Sequence, residues 1–377
     1  MSRKRPPVPC RAIASRAMRI PVLAALLAVL ALPALGAPAQ AATHTVYAGP
    51  PPALAGQLGP QSAIEITGYF PNRIEIHTGD SIRWVFTGRY HMVTIPTTTG
   101  VRPLFGWVNF DRPFAGFDDA AGRPFWFNGT PEQYVPLDGA LRDGAAPYDG
   151  TQPRNSGLPA ANGHTKPYQV KFVKPGTFLV LCIVHPTMHM TVNVIARGAP
   201  LERGPTKADQ QAYARKTFAT VHRILKIRPP KNTVYAGWEE GDVSLLRFFP
   251  AVATVRQGGS IDFVLKAVKE SHNVAFGPAA YRRRISDQII QRRRDPDGTK
   301  VFVLNPELFL PSDPENAFPA YDGRNHGNGF LNTGALDNDP LTPYDDHQVV
   351  RFTQPGTFLY ECLIHPGMTA KVRVLPG

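Results

Sequence analysis

The sequence predicts an all-β protein made of two tandem Greek-key β-sandwiches, with long loop insertions and a short linker helix. Proline and glycine are abundant, at 39 and 33 of 377 residues, which favours turns and loops over long helices. Apolar side chains alternate in short segments that follow turn residues, as they do in half-buried strands. The same segments recur in the same order in both halves of the chain, which indicates a duplication.

The first 41 residues have the features of a secretory signal peptide. A basic segment precedes the apolar run PVLAALLAVLALPALG, and small residues follow it, with cleavage most simply after Ala41. The apolar run is short for a membrane span and contains Pro33. We therefore expect an exported protein, periplasmic or extracellular, with no stable membrane span after the signal is removed. An uncleaved membrane anchor is the alternative.

The net charge argues against a nucleic-acid-binding protein, and the cysteine positions argue against a disulfide. The formal net charge is +12, and removing the six basic residues of the signal leaves about +6 on the mature chain. No segment is basic enough to predict a nucleic-acid site. Cys10 lies in the signal, whereas Cys182 and Cys362 occupy equivalent positions of the two repeats. A disulfide between equivalent positions would require the two loops to touch, so we expect none.

Three pairs of similar segments define the repeats. HTVYAG resembles NTVYAG, the segment around SIRWVF resembles the one around SIDFVL, and PGTFLVLCIVHPTM resembles PGTFLYECLIHPGM. These matches predict four parts: a signal peptide at 1–41, a first domain at 42–197, a linker at 198–231 and a second domain at 232–377.

Segments outside the matched strands predict a linker helix and two insertions. Thr206 and Asp209 fit a capping box, and apolar residues follow at helical spacing until Pro229 ends the run. Each repeat also contains an insertion rich in Pro, Gly, Asp and Asn, at 97–166 and 277–346. Loops of this length are usually functional or packed covers.

Each repeat ends a predicted strand with the motif C-x-x-H-x-x-M. A thiolate, an imidazole and a weak thioether in one tight loop suit copper, and a second imidazole is expected from a neighbouring strand. The predicted ligands are His91, Cys182, His185 and Met188 in the first repeat, and His272, Cys362, His365 and Met368 in the second. Met190 and His189 compete with Met188, although we expect Met190 to point into the core. Zinc is the rival ion, but Met is not a usual zinc ligand.

Both repeats resemble cupredoxins, the blue-copper family that includes plastocyanin, amicyanin and pseudoazurin. The resemblance rests on SHNVAFG, on PGTFLYECLIHPGM and on their counterparts in the first repeat. It covers both ends of each half but neither the insertions nor the linker. It implies two cupredoxin-like domains with one type 1 copper each, two per chain. The family often has Asn after the first His, as at Asn273, whereas the first repeat has Met92, so we expect the two potentials to differ.

The predicted function is electron transfer through the two type 1 copper sites. Four protein ligands leave no open position for a substrate, which favours an electron carrier over an enzyme. His185 and His365 are expected to be the solvent-edge ligands through which electrons leave. Tandem cupredoxin domains also resemble copper nitrite reductases and multicopper oxidases, in which His adjoins the type 1 Cys. Here the neighbours of the two cysteines are Leu181, Ile183, Glu361 and Leu363.

Two alternative functions stay open. A copper-dependent oxidoreductase would need a catalytic copper, for which His164, His326 and His347 are candidates on or beside the insertions. A copper-binding or buffering protein would use the same ligands as the electron carrier. A redox partner protein could dock on the arginine-rich segment near Arg282–Arg294, for which a solvated helix face is the competing interpretation. The sequence predicts no particular oligomeric state.

Overall fold

The computed structural model describes most of the chain after the predicted signal. The described residues are 40–58, 63–96, 117–119, 121–122, 124–126, 134–135, 142–144, 146–158, 166–185, 187–294, 298, 300–314, 316–340, 342 and 344–377. The predicted signal peptide lies outside them except for its last two residues, as does most of the insertion at 97–166. In the described part the fold is all-β, as predicted, with few helices.

The strands of the first half form two main sheets. The strands are β1 (Thr43–Ala48), β2 (Ile64–Ile66), β3 (Tyr69–Phe70), β4 (Arg73–His77), β5 (Ser81–Phe86), β6 (Thr94–Ile95), β7 (Phe117–Asp118), β8 (Pro124–Trp126), β9 (Tyr134–Val135), β10 (Arg154–Asn155), β11 (Tyr168–Lys171), β12 (Gly176–Leu181) and β13 (His189–Ile195). One sheet has the order β11-β5-β1-β3, and the other has the order β10-β6-β12-β13-β4.

The second half also forms two main sheets. Its strands are β14 (Thr233–Glu240), β15 (Val243–Phe249), β16 (Val252–Arg256), β17 (Ser260–Lys266), β18 (Ala275–Phe276), β19 (Ile290–Arg294), β20 (Lys300–Leu304), β21 (Ala320–Tyr321), β22 (Leu331–Asn332), β23 (His347–Phe352), β24 (Gly356–Glu361) and β25 (Thr369–Leu375). The orders are β2-β15-β14-β17-β23-β21 and β16-β25-β24-β18-β22. A small sheet β19-β20-β9 and the pair β7-β8 accompany the main sheets.

Strand order corresponds between the two halves. In each half the opening strand pairs in parallel with the strand that carries the SI segment, β1 with β5 and β14 with β17. The closing strand pairs in parallel in the same way, β13 with β4 and β25 with β16. The strand that leads to each cysteine, β12 or β24, pairs antiparallel with the closing strand and with the short strand after the first histidine. This arrangement brings the cysteine loop beside that histidine in both halves.

The two halves are joined by strand pairing as well as by packing. β2 belongs to the first half of the sequence but pairs antiparallel with β15, so that Ile66 lies opposite Val243. The main apolar cluster of the first half also includes Leu308, Phe330 and other residues of the second half. Residues 40–377 accordingly form one compact unit. The predicted domain limits at 42–197, 198–231 and 232–377 stay a prediction.

Four α-helices and the 3-10 helix Asn325–Gly327 accompany the sheets in the described part. The α-helices are α1 (Pro52–Leu58), α2 (Lys207–Ile224), α3 (Ala279–Ser286) and α4 (Pro306–Phe309). α2 is the predicted linker helix, and its capping box forms as predicted, because the Thr206 side chain accepts from the Asp209 N–H while the Asp209 carboxylate accepts from the Thr206 N–H. The helix ends at Ile224, and its C-cap Leu225 is exposed rather than packed. The described part contains no helix with both the length and the apolar character that crossing a membrane requires.

The insertions contribute equivalent covers to the two halves. Ser156 and Val93 exchange two hydrogen bonds, and Thr333 and Val274 do the same in the second half. These contacts place β10 beside β6 and β22 beside β18. Ser156 and Thr333 therefore hold part of each insertion against the strand that follows His91 or His272.

Candidate metal centres

The first candidate centre is formed by His91, Cys182 and His185, whose donor atoms converge in the interior. The two Nδ1 atoms lie 3.0 Å apart, and Cys182 Sγ lies 3.3 Å from His185 Nδ1. The backbone N–H of Met92 donates to the sulfur at 3.3 Å. All three predicted ligands are buried and form one group of potential metal donors.

The second candidate centre is formed by His272, Cys362 and His365 in the same arrangement. Cys362 Sγ lies 3.7 Å from the Nδ1 atom of each histidine, and the two Nδ1 atoms lie 3.1 Å apart. These residues are buried as well. The structure therefore brings together two triads, each made of one thiol and two imidazoles from the predicted positions.

The C-x-x-H-x-x-M loops fold alike in both centres. The Cys182 N–H donates to the Met188 carbonyl at 2.9 Å, and the Met188 N–H donates to the His185 carbonyl at 3.1 Å. The corresponding distances around Cys362 and Met368 are 3.0 and 3.1 Å. Both methionines are buried. The backbone of the loop thus turns back on itself in the same way in both halves.

The competing donors of the first loop do not enter the centre. Met190 is buried in the core, where its sulfur accepts a hydrogen bond from Trp84 Nε1 at 3.4 Å. This confirms the prediction that Met190 points into the core. His189 is exposed, with its Nδ1 atom 2.8 Å from the Thr187 carbonyl. Met188 therefore stays the predicted fourth ligand of the first centre.

The donor sets fit a single thiolate-binding ion. Three donors bonded to one ion at N and S bond lengths of about 2.0 and 2.3 Å lie about 3.5–3.8 Å apart in a trigonal plane. The 3.7 Å spacings around Cys362 agree with this, whereas the spacings between the histidine nitrogens, 3.0 and 3.1 Å, and between Cys182 and His185, 3.3 Å, are shorter. Burial alone raises the pKa of a thiol, but the adjacent histidines lower the pKa of Cys182 and of Cys362 to about 5. Neither sulfur forms a disulfide, and the lowered pKa favours the thiolate, the form that binds metal. Two imidazoles, a thiolate and a nearby thioether suit copper.

The outer edges of His185 and His365 face a buried carboxylate, which contradicts the predicted solvent-edge role. His185 Nε2 lies 3.3 Å from Glu270 Oε1, and His365 Nε2 lies 3.1 Å from Glu270 Oε2. The three side chains are only 3–6% exposed. The prediction was wrong because each half, considered alone, would leave its cysteine loop at an open end, whereas here the two ends meet.

Glu270 is a functional candidate that the sequence analysis missed. Burial by itself raises the pKa of its carboxyl, but His185 and His365 lower that pKa well below its usual range. The same contact works in the other direction, because Glu270 and the thiolates outweigh burial and raise the pKa of His185 well above normal and that of His365 to about 10. One carboxylate in contact with two imidazole rings therefore lies between the two centres.

A second carboxylate, that of Glu65, contacts a histidine of the first centre. Glu65 Oε1 lies 3.0 Å from His91 Nε2, and the Ile66 carbonyl lies at the same distance from that nitrogen. Burial lowers the pKa of His91, but contacts with Cys182 and Glu65 raise it overall. Both protein groups orient the His91 ring with Nδ1 towards the sulfur, as partners of metal-binding histidines commonly do.

Glycines provide the space for the first histidine of each centre. A Cβ atom added at Gly88 would collide with His91 Nε2. One added at Gly237 would lie 2.6 Å from His272 Nε2, and Gly237 also has φ of +91°. The backbone therefore approaches these imidazoles too closely for any larger residue.

Asn273 distinguishes the second centre from the first. Its Oδ1 accepts from the Leu363 N–H at 2.7 Å, and its Nδ2 donates to the Leu308 carbonyl at 2.8 Å. Met92 occupies the equivalent place in the first centre and has no side-chain group that can make these bonds. The predicted difference next to the first histidine is thus a real difference in how the cysteine loop is anchored.

Part of the arginine-rich segment packs inside the protein. Arg282 is buried, and its Nε donates to Glu361 at 2.9 Å, directly before Cys362 in sequence. Ser286 Oγ donates to the Leu363 carbonyl at 2.9 Å. Helix α3 therefore covers the second cysteine loop, and the proposed docking face can use only the remaining arginines.

The other histidines of the described part of the chain do not join either triad. His222 is exposed on α2. His326 and His347 belong to neither donor group among the described residues, and His164 lies outside them. The alternative of a catalytic copper on the insertions therefore gains no support from the described part of the chain.

Comparisons with known proteins return solved structures only. No protein-family model matches the chain, and no curated protein matches it. The reduced Cu(I) form of an amicyanin variant at pH 4 matches with a TM-score of 0.21 and 14% identity, covering 40% of this chain and 87% of that one. The oxidised plastocyanin of Dryopteris crassirhizoma matches with a TM-score of 0.20 and 18% identity, covering 38% and 98%.

A bacterial blue copper protein gives a similar result. Auracyanin A of Chloroflexus aurantiacus matches with a TM-score of 0.22 and 18% identity, covering 38% of this chain and 95% of that protein. Each of these proteins spans about two fifths of the chain. The donor sets of this chain, rather than these similarities, indicate which ion it can bind.

Proposed function

We propose that this chain is a cupredoxin-like electron-transfer protein that binds one type 1 copper in each half. The observation that carries the proposal is the occurrence of two buried His–Cys–His triads, each with a methionine held at the end of the same loop. A bound copper supplies a one-electron couple that neither thiol nor imidazole provides by itself.

The residues of the chain account for the other requirements of electron transfer. His91, Cys182, His185 and Met188 would hold the ion in the first half, and His272, Cys362, His365 and Met368 would hold it in the second. Burial keeps water from the donor atoms, and the strand ends and loop hydrogen bonds fix them in place. Such a rigid, closed donor set changes little between oxidation states and offers no position to a substrate, which favours a carrier over an oxidoreductase.

The spectrum and the metal content test this function together. The purified chain loaded with copper should show the intense blue absorption of a copper–thiolate bond and contain two coppers per chain. Each of Cys182→Ser and Cys362→Ser should remove one blue centre. Sustained turnover of nitrite, or of a phenol with oxygen, would instead favour the oxidoreductase alternative. A colourless protein that binds copper weakly would favour a buffering role.

Export remains part of the proposal and has its own test. If a signal is removed after Ala41, the new amino terminus is the nitrogen of Ala42, which lies 2.9 Å from the buried carboxylate of Asp80. Mass spectrometry of the protein recovered outside the cytoplasm should then give Ala42 as the first residue. Recovery of the intact chain in the membrane fraction would favour the anchor alternative.

A further inference from the structure

The contact between the two centres consists of one carboxylate and two rings. Each oxygen of Glu270 faces a different histidine, Oε1 facing His185 and Oε2 facing His365. His185 belongs to the first triad and His365 to the second. The contact to His185 is not aligned as a hydrogen bond, so Oε1 is a buried oxygen without such a partner. A buried carboxylate oxygen is costly to leave unsatisfied. A protonated Nε2 on the His185 ring would reduce this cost for Glu270 Oε1.

The ring nitrogens divide their roles in the same way on both sides of Glu270. In His185 and in His365, Nδ1 lies in the donor group beside a sulfur while Nε2 faces the carboxylate. A carboxylate next to Nε2 favours a proton on that nitrogen and leaves Nδ1 free as a metal ligand. One side chain thus selects the ligating tautomer in both triads.

The segment that carries Glu270 is fixed in place by its own contacts. Glu239 accepts from the backbone N–H groups of Val268 and Lys269 at 2.7 and 3.0 Å. The Lys269 ammonium donates to the Gly241 carbonyl at 2.7 Å. The position of the Glu270 carboxylate therefore follows from a clamped loop rather than from a free side chain.

The segment that carries Glu270 is also longer than its counterpart in the first half. Ten positions separate Ser81 from His91 in the first half, whereas twelve separate Ser260 from His272 in the second. Glu270 lies within the longer segment. The second half alone thus supplies the carboxylate that contacts both centres.

From these contacts, and resting on the proposed copper function, we propose that Glu270 is a positioning residue shared by the two metal centres. It orients His185 and His365 with Nδ1 towards the two sulfurs, so that a change at this single carboxylate acts on both centres. Glu65, which faces His91 at 3.0 Å, is the matched control because it orients a ligand of the first centre only.

Full-length variants that keep only one of the two cysteines test whether both centres depend on Glu270. Cys362→Ser leaves the first centre, and Cys182→Ser leaves the second. Adding Glu270→Gln keeps the side-chain size but removes the charge, and should weaken copper binding about 10- to 100-fold in both backgrounds, with a shifted midpoint potential in each. Glu65→Gln should have these effects only where the first centre remains. An effect of Glu270→Gln confined to the second centre, or absent from both, would overturn the proposal.

A measurement on the metal-free protein tests the role of Glu270 independently of copper binding. In the metal-free chain with ¹⁵N-labelled histidine, Glu270→Gln should move the Nε2 resonances of His185 and of His365 together, whereas Glu65→Gln should move that of His91. Failure of both cysteine variants to bind copper would refute the copper function while this test still stands. Movement of one ring only, or a lower unfolding midpoint with unmoved ring signals, would show that Glu270 is not shared or is merely structural.

Discussion

Asn273 Oδ1 accepts a hydrogen bond from the backbone N–H of Leu363 at 2.7 Å, which ties the first histidine segment of the second centre to its cysteine loop. The Nδ2 group of the same side chain donates to the Leu308 carbonyl at 2.8 Å. Asn273 is fully buried, so neither backbone group could turn to water if the amide were removed.

Asn273→Ala should therefore destabilise the protein by about 2–4 kcal/mol, since it leaves a buried N–H and a buried carbonyl unsatisfied. Copper binding at the second centre should weaken while the first centre keeps its absorption. Denaturant unfolding of the metal-free chain and copper titration of the Cys182→Ser background measure the two effects. Met92→Leu is the matched control in the first half and should cost less than about 1.5 kcal/mol. Equal damage from both substitutions would contradict this role of Asn273.

Gly88→Ala should damage the first centre selectively, because the new methyl group would collide with the His91 ring. Gly237→Ala should damage the second centre, where both the contact with His272 and the positive φ oppose a side chain. The loss of blue absorption, measured in single-centre backgrounds, should follow the half in which the glycine lies. If either substitution removed the blue absorption of both centres, the glycines would act through the overall stability of the fold.

Met188→Leu should change the absorption and raise or lower the potential of the first centre, because the axial thioether tunes such sites. Met190→Leu should leave both unchanged and cost about 1 kcal/mol of stability, since it removes the acceptor of the Trp84 N–H at 3.4 Å. Spectra and midpoint potentials in the Cys362→Ser background separate the two methionines. The reverse pattern would mean that Met190 is the ligand.

Asp80 should make the protein sensitive to acid. Burial raises the pKa of this carboxyl, but contacts from Ala42, His44 and His77 lower it overall. A group with a lowered pKa in the folded state stabilises above its unfolded pKa, and this contribution disappears as the pH falls through the folded value. Asp80→Asn should thus cost about 2–3 kcal/mol at pH 7 and clearly less at pH 3, measured by denaturant unfolding. An equal cost at both pH values would contradict the assignment.

Much of the local architecture could be predicted because it depends on local patterns. Alternating residues such as those of SIRWVF predicted strands, and Thr206 with Asp209 predicted the start of the linker helix. The ligand motif recurs at nearly the same distance from His91 and from His272, so the two triads could be predicted without knowing how the sheets pair.

The relationship between the halves could not be predicted in this way. The burial of His185 and His365 depends on how two cysteine loops meet in space, and no residue within either loop encodes that meeting. The pairing of β2 with a sheet of the other half is likewise a long-range choice. Glu270 had one signal in the sequence, the two additional residues before His272, but a single acidic residue in a longer loop is usually a surface residue. Arg282 shows the opposite case, since a basic run predicted an exposed face and this arginine is buried against Glu361.

The most direct test of the account is the copper content and visible spectrum of the purified chain beside those of Cys182→Ser, Cys362→Ser and the double variant. Two type 1 sites per chain should give two coppers and the full blue absorption for the unaltered chain, one copper and part of that absorption for each single variant, and no blue absorption for the double variant. An unaltered chain that stays colourless when loaded with copper, or a double variant that keeps the colour, would contradict it.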